Sequence, residues 1–281
     1  MPELPEVETI ARGLHKQVAG DTIQSIWLGE KPEPLKSSPR EIAKVLEQSK
    51  ILEVRRVGKH IVFDLKQPGR GRNSQERSGQ WVVHLGMTGK MQVTTPDVEV
   101  AKHTHAIARL ASGREVRFVD PRRFGRLAVV GARASAAAGF HASGDDPLEL
   151  QSTRFIELFR GRKTPIKSAL LNQKLLSGVG NIYADESLFR AGIRPRRRAA
   201  SLTREQLRSL HAAVQAVLGE AIALGGSSIN DYVNADGEEG FFQLEHRVYG
   251  REGEPCLVCG TPIKRVVIAS RSSHYCSHCQ K

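Results

Sequence analysis

The residues best equipped for chemistry stand at the two ends of the 281-residue sequence. Near the C-terminus, Cys256 and Cys259 form one C-x2-C pair and Cys276 and Cys279 a second, with sixteen residues between the pairs. Two tight pairs joined by a loop place four thiolates on one tetrahedral ion, and zinc suits sulfur without bringing redox chemistry. Four thiolates leave no open coordination position, so the expectation is one structural zinc whose binding is also folding energy. The alternative is two disulfides, although nothing in the sequence suggests export. At the other end Met1 precedes Pro2, a small residue that permits removal of Met1. Removal exposes a secondary amine. An α-amino group titrates near roughly 7.7–8.0, against about 10.4 for lysine, so much of it is neutral and nucleophilic at physiological pH. Such an amine can attack a sugar C1′, displace a base and leave an iminium. Glu3 and Glu6 are close enough in sequence to move protons. The plainer reading of the same residues is a capped helix start.

These groups need elements to hold them. Residues 4–18 read as a helix, with Pro5 in the first turn and Val7, Ile10, Leu14 and Val18 on one face. Gly20-Asp21 stops it. From residue 22 to about 130 the period changes to that of strands: TIQSIWL, ILEVRRV, HIVFDL, QWVVHL, KMQVT, THAIARL, REVRFV and RLAVV. Eight short strands in succession predict a sandwich or barrel. Residues 67–79 lack core-forming side chains and read as a mobile loop. The weakly patterned 131–149 marks a boundary. Beyond it STRFIELFR, PIKSALLNQKLL (165–176), NIYADESLFRAG and the long segment from Ser201 to Gly226 read as helices, with Ser201 or Thr203 as the last helix's cap. Gly178-Val-Gly-Asn181 breaks two of these helices apart. Amides at such a helix start can hold a phosphate, and Lys163, Lys167 and Lys174 lie nearby in sequence; an ordinary helical hairpin with a solvated basic face is the competing reading. In the cysteine segment Val266-Val267-Ile268 is a strand candidate, with turns near Gly260 and Ser272-Ser273.

The fold class expected is therefore multidomain α+β: an N-terminal helix with an eight-stranded β-sandwich (1–135), a linker (136–149), a helical domain (150–240) and a zinc ribbon (241–281). No apolar run is long enough to span a membrane, and the acidic, proline-bearing start is no signal peptide. The formal charge is +12, from 42 basic and 30 acidic residues. Zinc bound by four thiolates carries about −2, which leaves about +10. That balance favours a polyanionic partner, with a soluble enzyme that happens to be basic as the plain alternative.

PELPEVET at residues 2–9 resembles the opening of the bacterial formamidopyrimidine-DNA glycosylases. The resemblance continues through Arg55-Arg-Val-Gly-Lys59, His84-Leu-Gly-Met-Thr-Gly89, Asp120-Pro-Arg-Arg-Phe-Gly125, Gly178-Val-Gly-Asn-Ile-Tyr-Ala184, Val248-Tyr-Gly250 and the four-cysteine ribbon. It covers essentially the whole chain. The sister group, endonuclease VIII, opens with PEGPE, whereas position 4 here is leucine.

What this implies is a bifunctional enzyme that excises oxidised purines from duplex DNA and cuts the strand by β,δ-elimination. Pro2 would be the nucleophile, Glu3 the proton donor to the opening sugar, Glu6 a support, and Lys59 a phosphate contact that assists catalysis. Met87, Arg122 and Phe124 would fill the gap left by the everted nucleotide, with Arg122 reaching the orphaned cytosine. His103, Lys163, Asn181 and Arg271 would join Arg122 in binding DNA, with the helical domain containing a helix–two-turn–helix motif. One zinc and no nucleotide cofactor are implied, in a monomer of the bacterial cytoplasm that works at the nucleoid. Two departures stand out: the loop at 67–79 looks long, and Asn230, in a segment similar to the lesion-recognition loop, stands where some relatives have lysine. Excision of oxidised pyrimidines and a non-catalytic, zinc-containing DNA-binding protein are the rival readings.

Overall fold

A computed structural model describes residues 1–68, 77–131, 139–227, 235 and 240–281. They cluster into two compact units, one of residues 1–2, 6–141 and 227–240, the other of residues 3–5, 142–226 and 241–281.

In the first unit, helix α1 (Leu4–Val18) contributes its apolar stripe from Val7 onward; Val7, Ile10, Leu14 and Val18 are each no more than 1% exposed. Gly20, at φ +86°, ends it by a conformation that other residues rarely adopt. Eight strands follow: β1 (Thr22–Leu28), β2 (Ser49–Val57), β3 (His60–Gln67), β4 (Arg77–His84), β5 (Lys90–Thr94), β6 (Thr104–Leu110), β7 (Glu115–Val119) and β8 (Arg126–Val130). They form one sheet in the order β5-β7-β6-β1-β2-β3-β4-β8, every adjacent pair antiparallel. Phe63 and Trp81 from one half of that order and Ala108 and Phe118 from the other share one apolar cluster, so the sheet closes over a common core.

Two features of this unit differ from the sequence expectation. Helix α2 (Pro39–Leu46) was not legible as an apolar run, because it is eight residues long and buries only Ile42 and Leu46. Its signal is the capping box: Ser38 accepts from the Glu41 amide while the Glu41 carboxylate accepts from Ser38, with Pro39 at the first position. The expected loop of 67–79 is shorter at both ends. Gln67 pairs with Arg77, and the Gln67 side chain donates to the carbonyls of Lys44, Val45 and Glu47. Residues 69–76 lie outside the described residues.

In the second unit, helices α3 (Ser152–Phe159), α4 (Ile166–Leu170), α5 (Asn181–Arg190) and α6 (Arg204–Ala223) bury a core that includes Phe155, Phe159, Tyr183, Leu188 and Leu210. Thr203 and Gln206 cap α6 reciprocally. Helix α4 stops at Leu170 rather than running to residue 176. Side chains compete with the helix there: Asn172 accepts from the Lys174 amide, and Gln173 bridges Leu171 O, Val179 O and the Gly178 amide. Residues 142–149 cluster with these helices, where the Asp145 amide donates to Leu175 O.

Strands β9 (Ile263–Ile268) and β10 (Arg271–Cys276) make the C-terminal hairpin. Ser272 and Ser273 lie within β10; the turn is Ala269-Ser270, with φ of +46° and +62°. Two left-handed residues match the right-handed twist of a two-residue hairpin, and they put Arg271 immediately after a turn that L-residues enter at a cost of about 1–2 kcal/mol each. The hairpin belongs to the same unit as the helices. Lys281 exchanges backbone hydrogen bonds with Gly192 and Arg194, and the Arg194 guanidinium donates to Ser277 O and Gln280 O.

Candidate active site and nucleic-acid interface

Pro2 is partly exposed and still carries Met1, so its nitrogen is an amide until Met1 is removed. Glu3 is 5% exposed. Its Oε1 accepts the Ile182 amide at 3.2 Å, in the first turn of α5, where the helix dipole favours an anion. The glycines of Gly178-Val-Gly-Asn181 make this seat possible. A Cβ on Gly180 would overlap the Glu3 carboxylate itself. Gly180 has an ordinary φ of −129°, so what its position demands is space. Gly178 needs both space and conformation: φ is +101°, a Cβ would meet Leu4 Cδ1 at 2.8 Å, and its carbonyl accepts the Leu4 amide at 3.0 Å. One of the amides at this helix start is thus engaged by a carboxylate of the chain itself.

Glu6 is 2% exposed and accepts the Ser227 amide at 2.8 Å. It anchors the start of the segment in which Asn230 lies; residues 228–234 are outside the described residues. Glu8 binds Arg56 and Arg12 at 2.7 Å each. Burial alone would raise its pKa, but the two guanidiniums hold it below the usual carboxylate value.

Lys59 stands with Gly58 in the two-residue connection of β2 and β3, where Gly58 has φ +61°. Beside it in the same unit is an open recess of about 740 Å³ lined in part by Met1, His60, His84, Met87 and Phe124. Met87 and Phe124 are 41% and 53% exposed, and the Arg122 guanidinium lies 5.0 Å over the Phe124 ring. The expected insertion residues are therefore gathered on two adjoining loops and left uncovered. The rings of His60 and His84 are 4.9 Å apart. His84 Nδ1 accepts the Gly86 amide at 3.0 Å, which leaves Nε2 as the N–H donor. Burial, then His60, Arg126 and Lys59, push His84 down to about 4, so it is neutral at pH 7. Neither histidine was singled out from the sequence; the signal available was His84 opening His-Leu-Gly-Met-Thr-Gly. His103 is exposed, and its carbonyl accepts the Asp120 amide.

In the second unit Asn181 opens α5 beside the Tyr249 hydroxyl, and Arg271 is exposed at the start of β10. Between them in the hydrogen-bond network lies a buried charge cluster. Lys167, fully buried, forms an ion pair with Asp185 Oδ1 and donates to Ser272 O, at 2.6 Å each, and Asp185 Oδ2 accepts the His274 amide at 2.8 Å. Burial lowers the Lys167 pKa; Asp185 and then Glu3 oppose that, and Arg271 adds to it. Lys167 is thus a tie between α4, α5 and β10, not part of a solvated basic face. Glu186 next to it accepts the amides of Arg247, Val248 and Tyr249. Lys163 is exposed on the connection from α3 to α4 and makes none of these described contacts.

The sulfurs of Cys256, Cys259, Cys276 and Cys279 all lie within 4.8 Å of one another, with pairs at 3.9 Å and 3.5 Å. A tetrahedron of Zn–S bonds near 2.3 Å has an edge of about 3.8 Å, so the four fit a single zinc. All four ligands are protein thiolates, which makes the zinc structural.

Three family models match in order along the chain: the formamidopyrimidine-DNA glycosylase N-terminal domain over residues 1–127, the formamidopyrimidine-DNA glycosylase H2TH domain over 144–233, and a zinc finger found in FPG and IleRS over 253–281. The formamidopyrimidine-DNA glycosylase of Solibacter usitatus is 44% identical over 285 residues, covering all of both chains. The chain belongs to the formamidopyrimidine-DNA glycosylase family. The family's enzyme from Gluconobacter oxydans is 41% identical, again over the full length of both chains. Among solved structures, the MutM (FPG) protein of Thermus thermophilus is 41% identical with a TM-score of 0.83, covering 99% of this chain and 98% of that one. A Lactococcus lactis FPG variant in complex with DNA containing Fapy-dG is 33% identical with a TM-score of 0.87 over all of both chains. Among the described residues no helix is long and apolar enough to cross a membrane.

Proposed function

We propose that this protein excises oxidised purines, 8-oxoguanine and formamidopyrimidines, from duplex DNA and then cuts the abasic strand, with Pro2 as nucleophile once Met1 is removed. The observation that carries the reading is the seat of Glu3. A buried carboxylate directly follows the nucleophile and is aimed by the Ile182 amide across a glycine that leaves room for nothing else.

The steps follow from amine chemistry. The lesion must leave the base stack, because its glycosidic carbon is otherwise hidden. Met87, Arg122 and Phe124 fill the space it vacates, with the Arg122 fork addressing the orphaned cytosine. The neutral Pro2 nitrogen attacks C1′, the C1′–N bond breaks, and the base departs with its electron pair and a proton. Glu3 protonates the ring oxygen as the sugar opens, which leaves an iminium between Pro2 and C1′. The iminium acidifies the C2′ proton; its loss expels the 3′ phosphate. A second elimination expels the 5′ phosphate and leaves a one-nucleotide gap. Glu6 holds Ser227, from which the lesion-recognition segment starts in sequence. Lys59, Asn181 and Arg271 hold phosphates and set register, with His103 and Lys163 as outer contacts. The zinc keeps the hairpin that presents Arg271 folded. The protein acts as a monomer in the bacterial cytoplasm.

The test is a panel of duplexes with 8-oxoguanine, formamidopyrimidine or an oxidised pyrimidine opposite cytosine or adenine. Incision of the purine lesions opposite cytosine, with phosphate at both ends of the gap, is expected. Preferential incision of the pyrimidine lesion would transfer the protein to the sister activity.

A further inference from the structure

Asp120 is fully buried at the end of β7, and the described partners of its carboxylate are neutral. Its Oδ2 accepts the Gly125 amide at 2.7 Å. Its Oδ1 accepts the Thr88 hydroxyl at 2.6 Å and the Arg122 amide at 3.3 Å, and that amide also points at Thr88 Oγ1, 3.4 Å away. One carboxylate thereby joins two loops that are remote in sequence, the one that carries Met87 and the one that carries Arg122 and Phe124. The backbones interlock at the same place. A Cβ on Gly86 would lie 2.5 Å from the Gly125 nitrogen, and one on Gly125 would lie 2.5 Å from Phe118 Cζ and 3.0 Å from Asp120 Oδ2. Arg123, between Arg122 and Phe124, is held at φ +59°. A left-handed arginine persists only where its surroundings determine it.

We infer that Asp120 is a positioning residue that locks the two loops into a single wedge, so that Met87, Arg122 and Phe124 enter the DNA stack together and Arg122 meets the orphaned base in one register. The inference rests on the insertion role proposed for these three residues. An asparagine at 120 offers only one acceptor oxygen, so it cannot serve both the Gly125 and Arg122 amides. A valine at 88 keeps the shape and removes the bond across the loops.

The experiment uses the full-length zinc-loaded protein and a duplex with an uncleavable tetrahydrofuran abasic analogue opposite a fluorescent cytosine analogue, whose emission rises when the base is unstacked. The wild type is expected to give that rise. Thr88→Val and Asp120→Asn should bind the duplex within about threefold of wild type through their phosphate contacts, yet lose half or more of the rise. Their incision of 8-oxoguanine opposite cytosine should fall about 10- to 100-fold, while cleavage of an abasic site in single-stranded DNA, which has no stack to fill, stays within about twofold. Thr88→Ser should restore both readings. Variants that keep the full rise and the wild-type ratio of duplex to single-strand cleavage overturn the inference, as does an equal loss on both substrates. A wild type that gives the rise but incises no oxidised purine would remove the proposed function and leave the wedge standing.

Discussion

Met87, Arg122 and Phe124 in the first unit rest on a carboxylate whose partners are a hydroxyl and backbone amides, while Asn181 and Arg271 in the second rest on a buried ion pair and a metal site. The first arrangement orients loops with hydrogen bonds alone. A hydrogen bond to a carboxylate is worth about 1.5–3 kcal/mol net, so losing one costs less stability than breaking a buried ion pair. The second ties the hairpin to α4 and α5, helices whose apolar core the hairpin residues do not join. A buried ion pair adds little over an apolar substitute, but breaking it by removing one partner costs about 3–5 kcal/mol. Changes to the Lys167–Asp185 pair or the metal site should therefore act through folding, and changes at Asp120 or Thr88 through register on DNA.

The largest effect should come from the metal. Cys276→Ser, or prolonged chelation, is expected to remove a site whose zinc binding is worth about 10–16 kcal/mol in small metal-folded domains. Hairpin order and duplex binding should be lost together, while near-UV signals from Trp81 in the first unit persist; zinc content, binding and circular dichroism measured on one sample check this. Next comes Asp185→Ala, which strands the Lys167 ammonium and should cost about 3–5 kcal/mol in urea unfolding. The matched control is Asp64→Ala, which removes the partly exposed bridge to Arg55 and the hydrogen bond from Gln80, and should cost about 1–2 kcal/mol. Equal losses at Asp185 and Asp64 would erase the distinction between the units.

Gly180→Ala should separate chemistry from stability within the second unit. The methyl displaces the Glu3 carboxylate, so kcat on the lesion duplex should fall about 10- to 100-fold, with duplex affinity nearly unchanged. The smallest effect concerns pH, and here the units should behave alike. His84 in the first and His246 in the second are both lowered to about 4, chiefly by burial. The unfolded chain takes up protons near 6.5 while the native histidines stay neutral. Their contribution is therefore complete above about 6.5 and is lost as the pH falls towards about 4, by about 1–2 kcal/mol each after allowance for partial exposure. Urea midpoints at pH 7 and pH 5 for wild type, His84→Gln and His246→Gln would show a smaller pH dependence in each variant.

Much of this architecture was legible in the sequence because it rests on local pattern. Short runs rich in β-branched and aromatic residues located all eight strands, and the spacing of Val7, Ile10, Leu14 and Val18 located α1. The four cysteines announced their site by spacing alone. What stayed hidden depends on partners remote in sequence. Lys167 reads like any lysine beside Lys163 and Lys174 until folding sets it against Asp185 and Ser272. Asp120 sits in a loop whose neighbouring arginines draw attention, yet its own partner is Thr88. Gly180 reads as a helix breaker, whereas its role is to leave room for a carboxylate 177 positions earlier in the chain. Helix α2 was missed for the opposite reason: its signal is local but polar, a capping box with little apolar surface behind it.

The account turns on Pro2, and borohydride trapping tests it most directly. The full-length protein is incubated with a duplex containing 8-oxoguanine opposite cytosine, reduced, digested and mapped by mass. A cross-link on an N-terminal Pro2, with Met1 absent, is the predicted result, and Glu3→Gln should reduce its yield. No cross-link from protein that retains zinc and binds the duplex, or a cross-link on a lysine such as Lys59, would contradict the mechanism.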